Sequence, residues 1–105
     1  MSAAKVDNAL VSALVAAING HDRPGFLALL SMDAILTDDG TECDLHEWID
    51  REIFASNGQM QVRSVSDGGL RLVARFRNDA RGEMRTRWRF EIDDDKISRI
   101  ETGQA

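Results

Sequence analysis

Apolar residues recur with a helical period over the first stretch of the chain. Val6, Leu10, Ala13, Leu14, Ala17 and Ile18 follow the i, i+4, i+7, i+8 spacing of one buried helix face. This pattern predicts a helix over residues 6–19, with Gly20 as its stop. Asp22 then reads as an N-cap, with Pro24 in the first turn of a second, short helix. Phe26, Leu27, Leu29 and Leu30 supply that helix with its apolar face. Residues 34–38 predict a short strand, turned by Asp39-Gly40. Asp44-x-x-Glu47 has the form of a capping box and opens a third helix over 45–55. Leu45, Trp48, Ile49, Glu52 and Ile53 lie on its inner side, where Glu52 is the misfit. Asn57-Gly58 ends it.

Beyond residue 59 the period changes to two. Strands are predicted over 60–66, 70–78, 84–92 and 96–101, separated by turns at Asp67-Gly68-Gly69 and Asp93-Asp94-Asp95. In the second of these, Leu70, Leu72, Ala74 and Phe76 point one way and Arg71, Val73, Arg75 and Arg77 the other. In the third, Met84, Thr86, Trp88, Phe90 and Ile92 oppose Arg85, Arg87, Arg89 and Glu91. Segregated helices followed by a meander predict an α+β domain, three N-terminal helices packed on a curved antiparallel sheet. One domain over residues 1–105 is expected at this length.

Composition narrows the class. Hydrophobic residues make up 43% and charged residues 30%, a globular balance. No apolar run approaches the ~18 residues of a membrane span. The N-terminal segment lacks the features of a signal peptide, and the single Cys43 fits a reducing compartment. A cytoplasmic protein without a membrane partner is expected. The net charge of −5 argues against nucleic acid as the main partner. That total conceals an asymmetry. The first 50 residues carry two basic and nine acidic residues, the remainder eleven and nine. Six arginines (Arg71, Arg75, Arg77, Arg85, Arg87 and Arg89) fall on the outward face of two adjoining strands, with Phe76, Trp88 and Phe90 on the opposite one. Without stacking platforms among the arginines, nucleic-acid binding is disfavoured. An ion-paired outer face at or near a homodimer interface is expected instead.

The chain resembles the NTF2-like superfamily, in particular its SnoaL-like members. The resemblance rests on Asn19-Gly20-His21-Asp22, Phe26-Leu27-Ala28-Leu29-Leu30, Asp33-Ala34 and Thr37-Asp38-Asp39-Gly40, then on the run from Trp48 to Phe54, and on Phe90-Glu91-Ile92 followed by Lys96-Ile97. It spans nearly the whole chain. It implies a cone-shaped α+β barrel enclosing an apolar pocket, and a homodimer through sheet surfaces. The superfamily hosts isomerases, cyclases, dehydratases, hydrolases and binding modules, so fold alone selects no activity. The implied pocket lining is drawn from Leu14, Ile18, Phe26, Leu36, Trp48, Phe54, Met60, Phe76, Met84, Thr86 and Trp88.

Asp38 is the leading candidate for chemistry. By strand parity it shares a face with Ala34 and Leu36. A carboxylate at the mouth of an apolar pocket is partly desolvated and becomes a better base. The position also matches the general base of members similar to steroid isomerases. The alternative is that Asp38 caps the following turn. Isomerase chemistry further needs donors where an enolate oxygen develops. The chain has no Tyr, the first-helix donor position matches Leu14, and the strand position matches Thr86, which offers one hydroxyl. His46 is a weaker candidate, implied by the histidine that SnoaL-like cyclases place near a pocket acid. His21 reads as a turn residue. Glu42, Cys43, Asp44, His46 and Glu47 match no familiar metal spacing, so neither metal nor cofactor is expected. Acidic neighbours disfavour Cys43 as a nucleophile. The expected function is binding of a small apolar or aromatic molecule, with Asp38 as the polar group and candidate base for isomerase, cyclase or dehydratase chemistry. The alternative is a non-catalytic dimeric sensing or interaction module using the arginine face. Whether the chain is an enzyme stays open.

Overall fold

In the computed structural model, which describes residues 6–105, the first helix starts three residues later than its periodicity predicts. The Asn8 side chain accepts from the backbone N–H of Leu10 (3.0 Å) and Val11 (3.2 Å), satisfying two of the donors a helix start leaves open. Helix α1 therefore spans Ala9–Asn19 and buries Val11, Leu14, Ala17 and Ile18. Val11 takes the inward place expected of Ala13, which is exposed. Helix α2 (Arg23–Ala28) follows its expected cap, with Asp22 Oδ1 accepting from Gly25 N at 3.0 Å. Phe26 is its one fully buried residue.

Strand β1 (Leu30–Asp38) begins inside the stretch assigned to helix by its leucines. Leu30 pairs with Ile97 instead of closing a helical turn. A hairpin through Asp39 (φ 51°) and Gly40 (φ 84°) leads to a short strand β2 (Thr41–Cys43), which three polar or small residues do not announce. Helix α3 (Leu45–Ile49) is capped by Asp44, as its capping box predicts, with Oδ1 accepting from Glu47 N at 3.0 Å. The expected continuation to residue 55 widens into a π-helical turn over Asp50–Phe54, where Ala55 N–H donates to Asp50 O, five residues back (2.7 Å). Strands β3 (Gln59–Ser66), β4 (Arg71–Asn78), β5 (Gly82–Asp93) and β6 (Lys96–Gln104) complete the sheet.

The six strands run in the order β2-β1-β6-β5-β4-β3. The sheet is mixed, which corrects the expectation of a wholly antiparallel one: β1 lies parallel to β6. No hairpin joins these two strands, so no turn forces them to run in opposite directions. The remaining neighbours are antiparallel. Three helices pack on this sheet. Their buried residues join Leu36, Met60, Val62, Leu72, Ala74, Phe76, Trp88, Phe90, Ile97 and Ile100 in one core. The Asn19 side chain ties α1 to β3, accepting from Met60 N (2.7 Å) and donating to Met60 O (2.9 Å).

Candidate functional site

A pocket of about 300 Å³ opens where α3 and the π turn meet β4, β5 and the ends of β1 and β6. Six of the residues expected at a cavity share its wall: Asp38, Trp48, Phe76, Met84, Thr86 and Trp88. Asp38, the last residue of β1, is half-buried. Its Oδ2 accepts from Trp48 Nε1 at 3.0 Å. The neighbouring Asp39 serves the chain end instead, its Oδ1 accepting from Gln104 N at 3.2 Å. Asp38 closes the strand while Asp39 sits in the turn at φ 51°, and the two adjacent acids take different partners.

The aromatic wall is ordered around Trp88. Trp48 meets it edge-to-face (6.1 Å between centroids, 78°), Phe76 is tilted against it (6.1 Å), and Phe90 stacks on it (6.3 Å, 15°). Trp88 Nε1 donates to Thr86 Oγ1 at 2.8 Å, and Thr86 Oγ1 donates to Ala74 O at 3.3 Å. A hydroxyl has one proton. Thr86 has given its proton to the backbone, so it faces the pocket as an acceptor and not as the donor considered from sequence.

Glu52 forms the polar end. Its side chain is only 5% exposed, yet it carries three charge-assisted contacts. Arg81 reaches it through Nε (2.8 Å) and Nη2 (3.1 Å), and Arg51 through Nε (3.0 Å). Asn78 Nδ2 donates to its backbone oxygen at 2.8 Å. Burial pushes the Glu52 carboxyl up, but the hydrogen bonds from Arg81 and Arg51 and their charges outweigh it, holding the group below the usual carboxylate range. The same bond raises Arg81. The helical periodicity marked Glu52 as an inward acid, a signal of burial. Its partner Arg81 sits in the turn between β4 and β5, beyond any periodic pattern. Thr102, Gly103 and Gln104 also reach the pocket, past the predicted end of the last strand.

The other expected lining residues lie elsewhere. Leu14, Ile18, Phe26 and Leu36 are fully enclosed, and Met60 nearly so, with no pocket surface. Phe54 is half-buried and meets Phe26 edge-to-face at 5.7 Å. The first five are core, and Phe54 packs against it. His46 is exposed and lies away from the pocket; its Nδ1 accepts from Arg23 Nη2 at 3.3 Å, beside the Arg23–Asp50 ion pair. His21 Nε2 donates to Gly58 O (3.0 Å), a link between turns. Cys43 Sγ donates to Thr41 O (3.4 Å). No group of three or more potential metal ligands occurs among the described residues.

On the opposite sheet face the arginines stand in facing pairs, Arg71 with Arg89 and Arg75 with Arg85. Most are neutralised locally. Arg71 meets Asp67 (3.5 Å), Arg75 meets Glu83 (2.8 Å), Arg87 meets Asp39 (3.6 Å), and Arg89 and Arg99 share Glu101. The hydrogen bond from Arg99 holds Glu101 below its ordinary value, against a smaller opposing effect of burial. Among the described residues Arg63, Arg77 and Arg85 have no carboxylate partner. A shallow hollow of about 490 Å³ runs along this face past Arg71, Arg87 and Arg99.

No family model matches the chain, and no curated protein matches it in sequence. Solved structures do match in fold. A "putative polyketide cyclase" from Sinorhizobium meliloti superposes with a TM-score of 0.75 at 18% identity, over 90% of this chain and 94% of that one. An NTF2-like protein of unknown function from Cytophaga hutchinsonii gives 0.73 at 10% identity, over 100% and 95%. A Mycobacterium tuberculosis protein in complex with estradiol-17β-hemisuccinate gives 0.70 at 18% identity, over 89% and 88%. The chain has the fold of these NTF2-like proteins.

Proposed function

We propose that the chain is a ligand-binding NTF2-like domain whose Asp38 pocket takes a small apolar or aromatic molecule, with Asp38 as the polar group that meets it. In this reading the sheet curls as a cone around the pocket, and Trp48, Trp88, Phe76 and Met84 supply apolar and aromatic surface. The observation that carries the proposal is the placement of a half-buried carboxylate beside an aromatic corner in a concave site. A volume of about 300 Å³ lies at the low end for ligand sites, which suits one or two rings. The steroid derivative held by the Mycobacterium tuberculosis neighbour supports an apolar ring system as the occupant class.

Donor supply limits the chemistry. The indole N–H groups of Trp48 and Trp88 are engaged by Asp38 and Thr86, and Arg81 is engaged by Glu52. Among the described side chains of the pocket, the Gln104 amide and the Thr102 hydroxyl are left as donors without a protein partner. Asp38 acts as a base where such a donor, or the molecule itself, holds the charge that develops.

Trp48 and Trp88 are the only tryptophans, and both line the pocket. Intrinsic emission therefore reports occupancy directly. Titration with 1-naphthol or 2-phenylethylamine, a neutral and a charged compound within the size of one or two rings, is expected to give a saturable change with at least one of them that Met84→Arg abolishes. No change with either compound up to their solubility limits refutes the reading.

A second reading is a dimeric interaction module built on the arginine face, favoured by the unpartnered Arg63, Arg77 and Arg85. Acids of a second copy would then neutralise them. Light scattering should show a dimer that Arg85→Glu weakens; a monomer at all concentrations counts against it.

A further inference from the structure

We propose that the occupant of the Asp38 pocket is an organic cation, an apolar molecule bearing an amine or ammonium group. The inference rests on the reading of this pocket as a ligand site and names the class of ligand it selects.

The charge count comes first. Four ionisable side chains line the pocket: Asp38, Asp39, Glu52 and Arg81. Arg81 is committed to Glu52 by two contacts of 2.8 and 3.1 Å, and Arg51 adds a third to the same carboxylate. Glu52 is thus more than neutralised by protein cations. Asp39 pairs with Arg87 at 3.6 Å. Asp38 has no cation within ion-pairing distance among the described residues. Arg81 feels its charge only at longer range, as the smallest influence on a guanidinium that Glu52 dominates. The single side-chain contact of Asp38 is the neutral indole N–H of Trp48, on Oδ2. One carboxylate therefore faces the pocket with no cationic partner and an unused oxygen. Removing such a group from water is unfavourable unless an opposite charge arrives. A neutral apolar ligand would worsen its position by displacing water from it. An anionic ligand would add repulsion. A cation alone turns the same desolvation into a gain.

The aromatic geometry agrees independently. Trp48 and Trp88 meet edge-to-face at 78° and Phe90 stacks on Trp88, so the pocket wall beside the carboxylate is indole surface, that of Trp48 above all. Indole offers the best ring face for a cation. The bond from Trp48 Nε1 to Asp38 links the two features. A carboxylate that draws on an indole N–H enriches the π face of that ring, which strengthens attraction to a positive charge. It also fixes the ring plane before the ligand arrives, so little ordering is lost on binding. Phe76 and Met84 then receive the apolar body of the ligand.

The test uses three compounds of one skeleton, 3-phenylpropylamine, 3-phenylpropanol and 3-phenylpropionate. They are titrated at pH 7 and constant ionic strength with tryptophan emission as the readout. The amine is expected to bind at least tenfold more tightly than the alcohol, and the carboxylate more weakly than either. Asp38→Asn keeps an acceptor for the Trp48 N–H and removes only the charge. It should lower amine affinity about tenfold and leave the alcohol within twofold. Equal affinities for amine and alcohol overturn the inference, as does an equal loss of both in Asp38→Asn. In those cases the pocket still binds and the broader reading survives. Failure of all three compounds to alter the emission overturns both. Should the variant not fold, the amine-to-alcohol ratio of the unmodified protein decides alone.

Discussion

Replacing Glu52 by glutamine keeps the shape of the side chain and removes its charge. Three contacts from Arg81 and Arg51 converge on that carboxylate, whose own exposure is 5% while the two arginines are 53% and 49% exposed. Hydrogen bonds to charged groups contribute about 1.5–3 kcal/mol when well shielded. Solvent reaches both guanidinium groups here, so each contact is worth less than that. The released arginines also rehydrate, so no buried cation is stranded. A net loss of about 2 kcal/mol at pH 7 follows for Glu52→Gln. For a domain near 100 residues this lowers Tm by about 10 °C. The pH dependence supplies the decisive check. The folded-state value of Glu52 lies below its ordinary one, so the charged form is favoured by folding. The associated stability is fully present above the unfolded value, about 4.3, and disappears as pH falls through the lower folded value. Once protonated, Glu52 carries no charge, and neither does the glutamine that replaces it in the variant. Urea denaturation followed by tryptophan emission should therefore show a wide gap between the two proteins at pH 7 that narrows toward pH 3. A gap that stays constant across this range, or a variant as stable as the parent at pH 7, refutes the argument that the charge of Glu52 is what its arginines hold.

Leu14→Ala removes a fully enclosed core side chain and should cost about 3 kcal/mol in urea denaturation; a loss under about 1 kcal/mol would mean that the site collapses to fill the space. Gly69 has φ +90°, and a Cβ there would lie 2.8 Å from both N and Cβ of Asn8. Gly69→Ala should therefore lower Tm by a clear margin, and an unchanged Tm would show that the approach of Asn8 is dispensable. Arg85→Glu places an acid opposite Arg75 in the β4–β5 ladder in place of a like charge. A monomer should gain roughly 0.5 kcal/mol from the exchange, read as a modest rise in Tm at low salt; a fall in Tm points to a partner surface on this face.

The fold is legible in the sequence where local chemistry and burial agree. Asp22 and Asp44 cap their helices as their spacing indicates, and the alternation of Leu72, Ala74 and Phe76 against Arg71, Arg75 and Arg77 survives intact in β4. Strand β1 is longer than its pattern predicts because Leu29 and Leu30 extend the apolar face of α2, and a run of leucines does not say whether it closes a turn or joins a ladder. Its parallel partnership with β6 is not legible, because pairing between distant strands leaves no mark on either one. Five of the eleven expected lining residues are core and Phe54 packs against it, since a periodic pattern gives a side and not a depth. The inward side of Glu52 is visible in the sequence, but its partner Arg81 is not. Ion pairing across a turn depends on a three-dimensional approach that no period records.

Strand β6 is the last of the six along the chain, yet it occupies an inner place in the sheet, between β1 and β5. During synthesis the α1–β2 segment and the β3–β5 meander each exist before the strand that joins them. Neither can hide its bare edge alone, and non-local pairing of this kind is slow to form. A chain stalled before Lys96 therefore carries two open strand edges, on β1 and β5, that the finished domain does not have. Such edges invite pairing with other chains. The hazard belongs to the interval of manufacture, and it ends when Ile97 and Ile100 are zipped into place.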